Sequence, residues 1–188
     1  MKIYLASSSP RRREMLENLG VEFEIIKAEA DESSDERDPG KLTELLAKRK
    51  AEAASKIKND GLIIGCDTVV YAGGEILGKP KDECDAERMI GMLAGRRHAV
   101  VSGICVICGG ECVTAHEVTY VDFAPMSESE IKKCVRLGEP MDKAGAYAIQ
   151  GFASLYIKGI EGDYFNVVGM PLHLLYQTVK EKFGFEIK

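Results

Sequence analysis

Three groups of charged side chains in this sequence are placed where a polyanion and a hard cation could be handled together. The first follows the apolar run Ile3-Tyr4-Leu5-Ala6. There Ser7-Ser8-Ser9 leads into Pro10-Arg11-Arg12-Arg13, at the head of a helical pattern carrying Met15, Leu16 and Leu19. Proline suits a first helical turn because its missing N–H would be unpaired there anyway, so Pro10 marks the start and Gly20 the stop. Hydroxyls, free amides and guanidinium groups then meet at the positive end of a helix dipole, where phosphate binds readily. The same residues also read as an exposed basic first turn with a serine cap, and this segment alone leaves both readings open.

The acids form the second group. Asp67 closes the apolar run Leu62-Ile63-Ile64-Gly65-Cys66, and a carboxylate at the end of such a strand lies where ligands bind in open α/β sheets. A turn-forming Asp is the plainer reading. Asp31-Glu32 ends another strand and gives a second carboxylate source. Magnesium takes one or two carboxylates together with substrate phosphates. Lys50, Lys79 and Lys81 add phosphate partners, although most lysines are solvated surface charges. The third group is the block Gly138 to Gly151, where small residues alternate with Glu139, Asp142, Lys143 and Gln150. Its composition implies close backbone approach to a ligand, with Gln150 able to offer a donor and an acceptor to a base edge. A structural Gly-rich loop explains the glycines but less easily the polar cluster.

Other patterns carry less. Gly73-x4-Gly78-Lys79 matches most of a phosphate-binding P-loop, but Pro80 occupies the Ser/Thr position and Glu75-Ile76-Leu77 reads as a strand. Ser7, His98 and Asp67 can be assembled into a triad on paper, yet no serine has nucleophile-elbow glycines around it. His98, His116 and His173 form no ligand set and read as packing or surface hydrogen bonds. Cys105, Cys108 and Cys112 form a C-x2-C-x3-C run without a fourth ligand, beside the hairpin signal Gly109-Gly110.

Positioning these groups requires a succession of short elements. Strands are expected at Lys2–Ala6 and Phe23–Ile26, with helices at Pro10–Leu19 and from Lys41 to about Ile57, separated by a polar loop from Ala28 to Pro39. The run ending at Asp67-Thr68 reads as a central strand, followed by Val69-Val70-Tyr71 and a hairpin through Gly73-Gly74. Asp82 caps a helix carrying Met89, Ile90 and Leu93, and two long strands, Ala99–Ile107 and Glu111–Phe123, follow. Ser127 and Glu130 have capping-box spacing for a helix ending near Gly138. A strand is expected at Phe152–Ile157 and a last helix from Pro171. Interleaved helices and strands imply an α/β fold with a mixed sheet.

With 188 residues the chain can bury roughly 70% of its unfolded surface without a stabilising cofactor or disulfide. Its net charge of −5 argues against stable nucleic-acid binding, so the arginine cluster points to a small polyanion. No apolar run approaches the roughly 20 residues needed to cross a bilayer and no export signal is evident, which implies no membrane association and a cytoplasmic protein. The six cysteines, Cys66, Cys84, Cys105 and Cys134 among them in apolar settings, read as buried free thiols.

Taken in order, several motifs resemble the Maf family of nucleoside triphosphate pyrophosphatases over nearly the whole chain. They are Leu5-Ala6-Ser7-Ser8-Ser9-Pro10-Arg11-Arg12, Asp31-Glu32, Ala47-Lys48-Arg49-Lys50-Ala51, Cys66-Asp67-Thr68-Val69-Val70, Gly78-Lys79-Pro80, His98-x-Val100-x-Ser102-Gly103, the Gly138–Gly151 block and Gly162 to Leu172. Cys66, Ala148 and Ser102 depart from the residues usual there, and none of these changes removes a charge. The resemblance implies one Maf-type domain over residues 1–188, related in fold to the inosine triphosphate pyrophosphatases. It implies two lobes with the active-site cleft between them, and a homodimer.

It further implies hydrolysis of a nucleoside triphosphate to monophosphate and pyrophosphate with a divalent cation, Mg²⁺ or Mn²⁺. Such a house-cleaning activity keeps non-canonical nucleotides out of DNA and RNA, and the family's name links it to septum formation. Asp67 matches the family's proton acceptor. Arg11, Thr68 and Gln150 match the residues that mark the branch acting on dTTP and UTP, and the N7-methyl-GTP branch differs at these places. On this basis Glu32 and Asp67 would hold the metal, and Arg12, Lys50 and Lys79, with the Ser7 hydroxyl, would hold the phosphates. The rival readings are a purine or N7-methyl-GTP pyrophosphatase and a non-catalytic, division-regulating binding protein.

Overall fold

A computed structural model describes residues 1–138 and 140–187. Among these the strands are β1 (Ile3–Ala6), β2 (Glu24–Ile25), β3 (Leu62–Ala72), β4 (Glu75–Leu77), β5 (Arg97–Cys108), β6 (Glu111–Phe123) and β7 (Ile157–Glu161). The helices are α1 (Pro10–Asn18), α2 (Pro39–Ser55), α3 (Glu83–Leu93), α4 (Glu128–Gly138), α5 (Tyr164–Val168) and α6 (Leu172–Phe183). The strands form one mixed sheet in the order β2-β1-β3-β5-β6-β7, with β4 paired to β3. β1 runs parallel to both β2 and β3, while β4 and β7 run antiparallel to β3 and β6. No helix of the described residues is long and apolar enough to cross a membrane.

The chain divides into two units, the first made of Met1–Asp67, Ser102–Glu117 and Gly169–Lys188. Its core joins Tyr4, Ala6, Ile26 and Ile63 to the small face of α2, Ala47, Ala51 and Ala54. That helix lies very close to the strands beneath it. A Cβ at Gly65 would stand 2.3 Å from the Ala47 carbonyl oxygen, and one at Gly103 would stand 2.3 Å from the Thr43 carbonyl carbon. α2 begins at Pro39 behind Asp38, whose carboxylate accepts the Lys41 N–H at 3.0 Å. This start is two residues ahead of the expected one, because proline fits a first turn as readily here as in α1. After α2, Asp60 accepts hydrogen bonds from Lys2 Nζ at 2.5 Å and Tyr4 Oη at 2.6 Å, which hold its carboxyl down at about 2.

The second unit, Thr68–Val101 with Val118–Val168, packs Val70, Leu77, Ile90, Leu93, Val100, Phe123 and Tyr147 around its own core. Asp82 caps α3 by accepting from Asp85 N–H at 2.8 Å, and Ser127 and Glu130 form the reciprocal box at the start of α4. Asn166 donates to the Val100 carbonyl and to Thr119 Oγ1, both at 3.0 Å. Thr119 Oγ1 also accepts from the Asp163 N–H at 3.0 Å, which ties the Gly162–Leu172 motif to β5 and β6.

Three expectations are corrected. β3 does not end at Asp67-Thr68 but continues to Ala72, because the β-branched residues Thr68, Val69 and Val70 keep the backbone extended. Phe152–Tyr156 is a 3₁₀ segment and the strand begins at Ile157. Ala153 is buried while Leu155 is 72% exposed, a contrast that strand alternation cannot accommodate. All six thiols are free, but Cys84 and Cys112 are exposed and Cys108 partly so, since Cys84 lies on the outer first turn of α3 and Cys108 and Cys112 flank the hairpin tip.

Candidate active site

β1 is buried along its whole length, and the chain leaves the sheet at Ser7. Ser9 occupies the N-cap of α1, but its side chain makes no capping bond. Two residues earlier, the Ser7 hydroxyl accepts the Ser9 N–H at 3.2 Å and an Arg12 Nη1–H at 3.3 Å. Arg12 turns back from the first turn. Its Nε donates to the Gly169 carbonyl at 2.8 Å and Nη1 to the Cys66 carbonyl at 2.9 Å. Arg11 is half-buried on the same turn, whereas Arg13 is exposed and pairs with Glu17 at 3.2 Å.

Cys66 and Asp67 are neighbours on β3 and so point to opposite faces of the sheet. Cys66 is fully buried, and the loss of solvation pushes its thiol up to about 11, so it stays neutral. Asp67 faces α2, where Lys50 Nζ meets its Oδ1 at 2.5 Å and Glu32 Oε1 at 2.9 Å. Lys50 and Asp67 are mostly shielded from solvent and Glu32 is more open. The close seating of α2 over Gly65 sets the height of the Lys50 ammonium above β3. In the Asp31-Glu32 pair the two carboxylates go separate ways: Asp31 accepts from the Ser33 amide and hydroxyl, and only Glu32 reaches Lys50.

The first unit thus brings together Ser7, Arg12, Glu32, Lys50 and Asp67, from four separate stretches of sequence, with Arg11 on the same helical turn as Arg12. The remaining expected residues belong to the second unit. Thr68 follows Asp67 on β3 and is half-buried. Lys79 is exposed just beyond β4, and the carbonyl of its neighbour Gly78 accepts the Gly145 N–H at 3.0 Å. That bond joins the Lys79 turn to the segment ending in Gln150, which is exposed in a turn. Within this segment Lys143 pairs with Asp142 at 2.5 Å, and Glu139 lies outside the described residues. Gly145 and Ala146 both adopt left-handed backbone, at φ +66° and +62°. A side chain at Gly145 would strike Val70, and Ala146, though buried, carries a conformation that costs a non-glycine residue about 1–2 kcal/mol.

Sequence reasoning missed what braces this segment. His98, read as packing, meets Tyr147 Oη through Nε2 at 2.8 Å, and both rings stack edge-on against Phe123. Burial pushes the imidazole down to about 4 and the Tyr147 phenol up. Periodicity could not reveal the pairing, which spans two elements far apart in sequence.

The chemistry available is that of charge held in reserve. Two carboxylates from different segments already share one cationic atom, which makes them a donor set for a hard cation. No group of three His, Cys, Asp or Glu side chains gathers among the described residues. Two carboxylates are enough for a hard divalent cation such as magnesium, which takes one or two and fills its other positions with phosphate and water oxygens. The residues fit the group.

Sheet and flanking helices define a mixed α/β fold like that of the Ham1 protein. The Staphylococcus aureus Ham1 protein structure matches with a TM-score of 0.50 over 66% of this chain and 72% of that one, at 18% identity. The family model described as "Maf-like protein" matches residues 2–182, and the chain belongs to that family. A relative from Symbiobacterium thermophilum named dTTP/UTP pyrophosphatase is 48% identical, covering 99% of this chain and 96% of its own. Relatives of the same name from Desulforamulus reducens and Aquifex aeolicus are 46% and 41% identical. They cover 98% and 96% of this chain, and 98% and 95% of their own.

Proposed function

We propose that this protein hydrolyses dTTP and UTP to the monophosphate and pyrophosphate. The relatives' shared name supports the substrate, and the observation that carries the chemistry is the Glu32–Lys50–Asp67 cluster beside Arg12 and Ser7. A divalent cation, held by Glu32 and Asp67 with the triphosphate, would supply charge neutralisation at phosphorus when bound. Asp67 orients a water and takes its proton as the oxygen attacks the α-phosphorus, and the bond from that phosphorus to the bridging oxygen breaks. The developing charge on pyrophosphate is met by Arg12, Lys50 and Lys79, with the Ser7 hydroxyl as a further donor. Arg11, Thr68 and Gln150 read the base, because a buried polar edge left unpaired by the wrong nucleotide costs about 1–3 kcal/mol. A homodimer in the cytoplasm, clearing modified as well as canonical pyrimidine nucleotides, completes the reading.

Phosphate release coupled to inorganic pyrophosphatase, measured with dTTP, UTP, CTP, ITP and N7-methyl-GTP with and without Mg²⁺ or Mn²⁺, tests it. Metal-dependent turnover led by dTTP and UTP is expected. A purine preference overturns the roles of Arg11, Thr68 and Gln150, and no turnover with any nucleotide overturns the enzyme reading in favour of a binding protein.

A further inference from the structure

Glu32 sits in a stretch without regular secondary structure between β2 and α2, and its side chain is 55% exposed, yet its carboxylate lies against Lys50. Something other than packing must hold it there. We infer that Arg49 is the positioning residue for Glu32, a conclusion that rests on the role given to Glu32 above. Arg49 Nη1 donates to the carbonyl of Asp31 at 3.0 Å and to that of Ser33 at 2.6 Å, the two residues flanking Glu32. One guanidinium nitrogen carries two N–H groups, so it can serve both carbonyls. Asp31 closes the turn from the other side. Its Oδ1 accepts the Ser33 N–H at 2.9 Å and the Ser33 hydroxyl at 2.6 Å, while its Oδ2 lies 3.9 Å from Arg49 Nη1.

Residues 31–33 are thereby pinned by both neighbours of Glu32, leaving the middle side chain to meet Lys50. Arg49 and Lys50 are consecutive on α2, so one turn of helix holds the backbone of the loop with one residue and its carboxylate with the next. The loop is attached to the same rigid element that delivers the ammonium to Asp67. Groups that orient a ligating carboxylate typically affect metal affinity or activity 10–100-fold when removed, and the Arg49 clamp falls in that class.

The test uses Arg49→Met, which keeps the apolar stem and removes the donors, alone and combined with Glu32→Gln. Arg49→Met is expected to lower kcat/KM for dTTP roughly tenfold, with most of the loss recovered at high Mn²⁺, and to add little in the Glu32→Gln background. Arg49→Lys, which retains a donor to the carbonyls on a different stem, should recover part of the loss. Hydrogen exchange gives a readout independent of turnover: amides of residues 31–34 should exchange roughly tenfold faster in Arg49→Met. An equal loss in both backgrounds, or unchanged exchange at 31–34, overturns the assignment. Failure of the site reading looks different, since there Glu32→Gln alone leaves turnover intact while the exchange result still decides whether Arg49 holds the turn.

Discussion

Replacing Gly65 with alanine tests whether the height of α2 above the sheet sets the chemistry. The new methyl would stand 2.3 Å from the Ala47 carbonyl oxygen and 3.0 Å from Ala51 Cβ. Carbon–oxygen contacts relax at roughly 3.3–3.6 Å, so the helix or strand must yield by about 1 Å. Overpacking of this kind costs about 1–3 kcal/mol, and the reduced freedom of the unfolded chain returns about 0.4–1 kcal/mol. A net loss of roughly 1–2 kcal/mol lowers Tm by about 2–8 °C. Lys50 lies between Ala47 and Ala51 on the displaced turn, and its contact with Asp67 is only 2.5 Å. A 1 Å misplacement of such a group can cost about 100-fold in rate. Gly103→Ala supplies the control. It clashes with the same helix at Thr43, 2.3 Å from the carbonyl carbon. That point is roughly 10 Å along the axis from Lys50. Thermal unfolding and steady-state kinetics with dTTP at 25 °C should show similar Tm losses for both variants and a large kcat loss only for Gly65→Ala. Equal kcat losses, or wild-type kcat in Gly65→Ala, refute the reasoning.

Asp67→Asn should cut kcat by about 10²–10⁴-fold with dTTP affinity, measured by calorimetry, largely kept; near-normal turnover removes Asp67 as the base. Arg12→Lys replaces a fork that serves two carbonyls with a single point donor, so a loss of about 1–2 kcal/mol in urea unfolding and at least a tenfold rise in KM are expected. His98, 3% exposed, is pushed by burial from 6.5 to about 4, so it is neutral in the fold while the unfolded chain takes up its proton first. Its contribution is therefore complete above pH 6.5 and is lost, by up to about 3 kcal/mol, as pH falls toward 4. Thermal melts across that window should fall less steeply for His98→Phe, and parallel slopes would contradict the assignment.

Local signals were legible wherever a side chain acts on its own backbone. Pro10 and Gly20 bracket α1, Asp82 starts α3, Ser127 and Glu130 start α4, and Gly109-Gly110 turns the hairpin. Elements failed where burial overrides composition. Asp67-Thr68 reads as a break in an apolar run, yet a polar pair can sit inside a strand when its outward face meets a charged partner. The candidate site was legible as a set of residue types but not as an arrangement. Nothing local distinguishes Asp31 from Glu32, and the choice is made by a serine two positions beyond Asp31 and an arginine on the next helix. Lys50 likewise gains its Asp67 partner through the approach of α2 to Gly65, a long-range fact that no spacing encodes.

The Arg12 fork also bears on how the protein is made. Its bonds to Gly169 and Cys66 span 157 and 54 residues of sequence. Contacts that close such long loops form late, because the chain entropy they consume must be met by structure already in place. During synthesis the fork has no second anchor until residue 169 has been made. The phosphate grip proposed for Arg12 is therefore reserved for finished molecules, and protection of this fork would report completion of folding rather than its onset.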